Sequence, residues 1–277
     1  MRAMNIKANT GSAGWMQLKA SWKKNRKHYA QEALGLAIFM LSACLFGALL
    51  EGKNSPLHHA IPNDFVRTTI MGVLMGATAL FIFYSPFTAP SGSQINPAVT
   101  LSFLRLGKIC HWDALFYILS QFIGGTLAVY IMQLLLGSRL TAAPVNSVVT
   151  IPGKNGAWPA LLMELFIAFV TMTIVLSTSA NNKLNKYTRT FSGCLVCTWV
   201  IVAGPVSGFG MNPARSFASA LPAGIWTGFW IYTLAPIVGM LLAAEVFLFV
   251  QRRKSISKHR NGNNLPKELL EPLEYLL

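Results

Sequence analysis

Two copies of the tripeptide Asn-Pro-Ala are the residues of this chain whose type and spacing best indicate chemistry. They begin 116 residues apart, and each lies shortly after a Ser-Gly pair and precedes a short apolar stretch, 97–107 or 213–221. Asparagine is a strong helix N-cap and proline suits the first helical turn, so each tripeptide predicts the start of a short helix. The residues concerned are Asn96, Pro97, Ala98, Asn212, Pro213 and Ala214.

Three charged residues stand in apolar surroundings. Arg215 directly follows the second tripeptide, while Glu32 and Glu164 lie inside long apolar runs. Ionisable groups at membrane depth are costly and are functional candidates by default. The two acids would serve a proton-coupled transporter, or they would accept hydrogen bonds from backbone N–H groups of nearby re-entrant loops. One acid and one loop in each half of the chain favour the second, structural interpretation.

The elements that must position these residues are membrane helices. Of the 277 residues, 53% are hydrophobic and 12% charged, with a mean hydropathy of +0.47. A soluble domain carries about 25% charged residues, so this composition excludes a soluble enzyme. We predict an all-α membrane protein with six transmembrane helices and two re-entrant half-helices. The predicted spans lie near 30–50, 68–86, 112–136, 158–180, 190–206 and 224–250.

The chain contains an internal repeat. Residues 91–99 match residues 207–215, and the spans that follow these segments also correspond. Each half, 30–137 and 158–251, holds three predicted spans, and this odd number gives the halves opposite orientations in the membrane. In such inverted repeats the functional site lies near the bilayer midplane, between the halves.

The inverted repeat predicts what the two tripeptides do together. The N-termini of both half-helices should meet near the bilayer centre, each carrying about half a positive charge. The side-chain amides of Asn96 and Asn212 would then donate hydrogen bonds to one point of a narrow pore. A water molecule that accepts from both amides cannot relay protons, and cations meet a positive field. The sequence therefore predicts a pore that passes neutral molecules and excludes protons and ions.

The distribution of basic residues predicts the orientation. With six spans, 18 of the 23 Lys and Arg residues fall on one side, four fall on the other, and Arg215 belongs to neither. By the positive-inside rule both termini are expected in the cytoplasm. We expect a basic tail over 1–29, a channel domain over 30–251 and a second tail over 252–277, in a plasma or inner cell membrane. The lipid bilayer, and no nucleic acid, is the expected partner of these basic tails.

With these motifs the chain resembles the aquaporin (major intrinsic protein) family over about residues 30–250. The paired sequences at 96–100 and 212–216 carry the resemblance, which implies an aquaporin-like six-helix fold, a pore in each protomer and a homotetramer. An enzyme would need a nucleophile with a base, or a metal cluster. Because all five histidines fall in tails, loops or span ends, we expect no enzymatic activity, no cofactor and no metal.

The resemblance also implies an outer constriction formed by Arg215 and three other residues. Counting without gaps maps these three to Gly76, Val200 and Phe209. Strict water channels usually carry an aromatic residue, a histidine and a small residue there, so this set predicts a wider opening with one apolar wall. A one-residue gap within 86–90 would put Met75 or Ala77 in place of Gly76, and neither is aromatic.

The leading hypothesis is a passive channel for water and small uncharged solutes of the glycerol or urea class. Ser216 argues against it, because glycerol facilitators typically carry aspartate after the arginine whereas water channels carry serine. A strict water channel is therefore the alternative. A secondary transporter that uses Glu32 and Glu164 is less favoured, because the midplane offers asparagines where a transporter needs titratable groups.

Overall fold

The computed structural model describes residues 10–260, and within this range it is helical and contains no strand. Six helices are long and apolar enough to cross a membrane, which confirms the predicted all-α, multi-pass membrane fold. The helices are α1 (Thr10–Glu51), α2 (Pro56–Ala60), α3 (Asp64–Tyr84), α4 (Pro97–Arg105), α5 (His111–Leu136), α6 (Ser138–Thr141), α7 (Ala157–Ser179), α8 (Thr188–Ser207), α9 (Pro213–Ala223) and α10 (Phe229–Arg260).

Two short helices, α4 and α9, begin at the tripeptides. Asn96 and Asn212 have extended backbones and act as N-caps, and the proline that follows each of them opens the helix. The helices contain 9 and 11 residues. At 1.5 Å per residue they are about 14 and 16 Å long, roughly half the thickness of a hydrocarbon core.

Helix packing follows the internal repeat. In the first half α1 packs on α5, in the second half α7 packs on α10, and α3 joins the halves through α8. Each half-helix packs against a long helix of the other half, α4 on α10 and α9 on α5. The halves therefore enclose each other's short helices, and neither half forms a separate unit.

Two equivalent glycines allow the long helices of each half to approach closely. A Cβ atom at Gly124 on α5 would lie 2.6 Å from the Cα atom of Ala33 on α1. A Cβ atom at Gly239 on α10 would lie 2.6 Å from the carbonyl oxygen of Leu165 on α7. Small residues at such crossings bring membrane helices into van der Waals contact.

The first helix is longer than the predicted span 30–50. It starts at Thr10, and its early part packs on the start of α5, where Asn25 and Tyr29 donate hydrogen bonds of 3.0 and 2.5 Å to Asp113. Much of the predicted basic tail 1–29 is thus helix that belongs to the fold, while residues 1–9 lie outside the described range. Hydropathy marks where a helix leaves the apolar medium, and not where the helix ends.

The last span also differs from its predicted limits of 224–250. Gly224 ends α9 in a left-handed conformation, and α10 begins only at Phe229. At its other end α10 continues to Arg260, into the predicted tail 252–277, of which residues 261–277 lie outside the described range.

The glycine crossings give a test of the packing. We expect Gly124→Ala and Gly239→Ala each to lower the free energy of unfolding by about 1–3 kcal/mol, because the added methyl group overpacks a backbone contact. Gly204→Ala is the matched control, since a Cβ atom there meets nothing within 4 Å. Thermal unfolding in detergent, followed by tryptophan fluorescence, measures the difference. Equal stability of all three variants would contradict the close crossing.

Candidate functional site

The first re-entrant loop is held by a buried carboxylate. Glu32 on α1 is fully buried and accepts hydrogen bonds from the backbone N–H groups of Gln94 (2.9 Å) and Ile95 (2.6 Å). It also accepts from the hydroxyl of Ser91 (2.6 Å) and from the amide of Gln121 (2.9 Å). One carboxylate therefore accepts hydrogen bonds from two loop N–H groups, which have no partner within a helix and no water at this depth of the membrane.

The second loop is held in the same way. Glu164 on α7 is also fully buried and accepts from the N–H groups of Gly210 (2.8 Å) and Met211 (2.5 Å) and from the hydroxyl of Ser207 (2.7 Å). The hydroxyl of Tyr232 donates to the carbonyl of Ser207 at 2.7 Å.

The same tyrosine contact recurs in the first half, where Tyr117 donates to the carbonyl of Ser91 at 2.8 Å. The two halves thus repeat the carboxylate, the serine and the tyrosine together.

Both loops adopt an unusual backbone conformation. Ser93 and Ile95 in the first loop have φ values of 47° and 43°, and Phe209 and Met211 in the second have 53° and 48°. Side-chain-bearing residues pay a steric penalty at positive φ, and such conformations persist where the surroundings enforce them. Here the carboxylates bind the N–H groups of two of these four residues, Ile95 and Met211, and so supply the enforcing contacts.

The two asparagines cap their helices with one side-chain atom and join the halves with the other. The Oδ1 atom of Asn96 accepts from the N–H of Ala98 (2.9 Å), and that of Asn212 accepts from the N–H of Ala214 (3.0 Å). Each amide is thereby oriented by its own half-helix.

The amide nitrogens then cross to the opposite loop. Asn96 donates to the carbonyl of Met211 at 2.8 Å, and Asn212 donates to the carbonyl of Ile95 at 2.7 Å. An amide nitrogen carries two hydrogens. Among residues 10–260 each of these nitrogens has one partner, so one N–H of each asparagine is left to donate elsewhere.

Two cavities lie next to each other, and three residues line both of them. The large cavity has a volume of about 330 Å³ and is lined by both loops, both asparagines and residues near the turn between α7 and α8. The small cavity has a volume of about 220 Å³ and is lined by residues of α1, α3 and α8 and by the segment before α7. The residues that line both cavities are Phe39, Phe209 and Arg215.

Arg215 stands at the boundary between the cavities. It lies in the first turn of α9, and its guanidinium group donates a hydrogen bond to the hydroxyl of Thr150. Within the described range no carboxylate forms an ion pair with it. Its positive charge therefore faces the boundary without a neutralising partner in contact.

The structure corrects one predicted residue of the constriction. Gly76 does not line either cavity, because its Cα atom faces α8, where a Cβ atom would lie 2.7 Å from the Cβ atom of Cys197. Met75, one position earlier, lines the small cavity together with Val200, Phe209 and Arg215. The lack of a side chain at Gly76 allows α3 to pack closely on α8, and the α3 residues that line the small cavity are Met71 and Met75.

The sequence did not predict two further residues, Phe39 at the boundary and Thr150, the hydrogen-bond partner of Arg215. Phe39 is one apolar residue among many on α1, and nothing in its spacing distinguishes it. Thr150 lies in the connection between the halves, where no pattern predicts its contact with Arg215. Neither carboxylate, Glu32 or Glu164, lines a cavity.

These features define a class of protein: a helical membrane channel built from an inverted repeat, with two half-helices whose capping asparagines line the large cavity. The chain belongs to the major intrinsic protein family, whose family model matches residues 19–247. Members of this family are passive channels and not enzymes. In the described part of the chain no three His, Cys, Asp or Glu side chains are grouped so as to hold a metal ion.

Plant aquaporins are among its relatives. The chain is 34% identical over 228 residues to the probable aquaporin TIP2-1 of Oryza sativa subsp. japonica. This match covers 80% of this chain and 86% of the rice protein. It is 33% identical over 162 residues to aquaporin NIP2-2 of Zea mays, which covers 58% of this chain. That match spans about half, 53%, of the maize protein.

A solved structure shares the fold. The aquaglyceroporin from Plasmodium falciparum superposes with a TM-score of 0.66 over 80% of this chain and 94% of that protein, at 18% sequence identity. This likeness concerns the fold alone.

The buried carboxylates give a second test. We expect Glu32→Gln and Glu164→Gln each to cost about 1–3 kcal/mol of stability, because the new NH2 group faces backbone N–H donors and leaves one unsatisfied. Glu245→Gln is the control, since Glu245 is half-exposed and pairs with Arg105. A surface ion pair contributes at most about 1 kcal/mol. Thermal unfolding in detergent measures all three, and equal losses would contradict the anchoring role of the two acids.

Proposed function

We propose that this channel conducts water and at least one small uncharged solute of the glycerol or urea class, down its gradient, through a pore in each protomer of a homotetramer. The observation that carries the solute class is the lining of the small cavity. Met75 and Val200 line it where a ring and an imidazole would narrow it, and Phe209 adds an apolar wall to the cavity that Arg215 also lines. A solute with C–H groups on one side and O–H or N–H groups on the other suits this pair of walls.

Exclusion of protons and ions is proposed on electrostatic grounds. Asn96 and Asn212 each keep one N–H beyond their bonds to the carbonyls of Met211 and Ile95, and both half-helices direct their positive ends to the same region. Arg215 adds a full positive charge. A water molecule that accepts hydrogen bonds here has its own hydrogens directed outwards, which interrupts a proton relay.

The transporter hypothesis gains no support from the contacts of the two acids. Glu32 and Glu164 are fully buried, bonded to loop donors and absent from the walls of both cavities. A strict water channel stays the second candidate, because Ser216 occupies the position after Arg215. The Ser216 side chain is buried and lines neither cavity.

The proposed setting is the plasma or inner cell membrane, with both termini in the cytoplasm. The excess of basic residues on the terminal side supports this orientation. Large apolar side chains at the helix surfaces, such as Leu134 (87% exposed) and Trp158 (73%), are available to lipid and to neighbouring protomers.

Solute conduction is tested in proteoliposomes by stopped-flow light scattering. We expect fast shrinkage in sucrose, and fast shrinkage followed by re-swelling in glycerol or in urea. Met75→Phe should slow re-swelling more than shrinkage, because a ring narrows the opening for the larger molecule first. Val73→Phe is the matched control, since Val73 is on the same helix, is 56% exposed and lines neither cavity. Shrinkage without re-swelling in the wild type would establish the strict water channel.

Charge exclusion is tested with a pH-sensitive dye inside the same vesicles. After an acid jump, we expect wild-type vesicles to acidify no faster than empty ones. Arg215→Val should acidify faster while keeping water permeability, because it removes the charge at the boundary. Arg105→Val, which removes an exposed arginine paired with Glu245, should behave as the wild type. An Arg215→Val channel as proton-tight as the wild type would contradict the role of this residue.

A further inference from the structure

Phe39 on α1 is the third residue that lines both cavities, beside Phe209 and Arg215. Its neighbours Leu36 and Met40 are 0% exposed, whereas Phe39 is partly accessible. Its ring also packs against both large core clusters of the molecule. Because the Phe39 ring packs between the two core clusters and lines both cavities, we infer that its accessible part faces the cavities and not the lipid.

The ring is held in place through its helix. Phe39 follows Glu32 by seven residues, two helical turns, so both side chains lie on the same side of α1. Glu32 fastens that side to the first re-entrant loop through the N–H groups of Gln94 and Ile95. The position of the Phe39 ring relative to the loop is therefore set by a buried, multiply bonded carboxylate.

The side chains that line the small cavity differ in stiffness. Met75 is unbranched and adapts its shape by rotation about its side-chain bonds, whereas a phenylalanine ring is rigid. Val200 is short and, like Met75, lines the small cavity but not the large one. The residues that line both cavities are two rigid rings, Phe39 and Phe209, and Arg215, which is hydrogen-bonded to Thr150.

We propose that Phe39 is a specificity-determining residue that sets the largest uncharged solute the channel admits. The inference rests on the proposed function and deepens it. Met75 on α3 has no aromatic ring, and Phe39 provides one from α1. With Phe209 it forms two apolar walls, which leave Arg215 as the polar side of the opening. A solute passes if its carbon skeleton fits between the two rings while its O–H or N–H groups meet the guanidinium.

The experiment compares Phe39→Ala and Phe39→Trp with Phe46→Ala in proteoliposomes. Phe46 is the matched control, because it lies seven residues further along α1, is partly buried against the same core cluster and lines neither cavity. Water, urea, glycerol and a four-carbon polyol are measured in turn, and each solute permeability is divided by the water permeability of the same vesicles.

We expect Phe39→Ala to raise the ratio of glycerol to water permeability about tenfold and to admit the four-carbon polyol. Phe39→Trp should lower the same ratio by a similar factor. One or two carbon atoms have an effect of about this size in a specificity pocket. Phe46→Ala should keep the wild-type ratio. The proposal is overturned if both Phe39 variants keep it too, or if Phe46→Ala changes it as much as Phe39→Ala does.

The wild type decides the proposed function separately. If wild-type vesicles pass water and no solute, the solute-channel proposal fails, and Phe39 still controls size if Phe39→Ala admits urea or glycerol. If Phe39→Ala also admits none, the proposal for Phe39 fails as well. Gel filtration and water permeability report whether each variant folds. Phe39→Leu, which retains more apolar volume, takes the place of Phe39→Ala if the latter does not fold.

Discussion

Peptide groups outside helices need hydrogen-bond partners at the depth of a bilayer, and two buried carboxylates meet this need here. Glu32 and Glu164 each bind two backbone N–H groups of a loop, together with a serine hydroxyl. A carboxylate suits this task because both of its oxygens accept hydrogen bonds and neither donates. Once the loops are fixed, the asparagines that follow them are fixed, and so are the half-helices that they cap. The positions of the cavity walls depend on this chain of contacts.

The two halves share this framework, but they differ in a donor to the carboxylate and in the residue that follows the tripeptide. Gln121 gives Glu32 a further donor, whereas the equivalent position in the second half is Pro236, which has no side-chain donor. The second half places Arg215 after its tripeptide, where the first half has Val99, and Arg215 bonds to Thr150 in the connection between the halves. The residues that both halves share therefore hold the loop backbones, and Arg215, which has no equivalent in the first half, lines the boundary between the cavities.

The sequence was sufficient for features that rest on periodicity, repetition or helix capping. Six spans, two half-helices and one acid in each half follow from hydropathy, from the inverted repeat and from the preference of Asn and Pro for helix starts. The sequence could not show that Met75, and not Gly76, lines a cavity, because the register across the irregular loop at 86–90 depends on how that loop folds. Phe39 and Thr150 were missed because their roles arise from contacts between distant segments. The length of α1 was missed because a basic helix outside the membrane has no apolar run.

The reciprocal bonds of the asparagines have a consequence for the order in which the protein is made. The Ile95 carbonyl and the Asn96 amide find their partners in Asn212 and Met211, more than 100 residues later in the chain. At about 5–20 residues per second, a ribosome needs roughly 6–25 s to supply that second segment. During this time the first loop is inside or beside the membrane with its cross-partners not yet synthesised. The hydrogen bonds that join the two halves therefore form only after the second tripeptide has been translated.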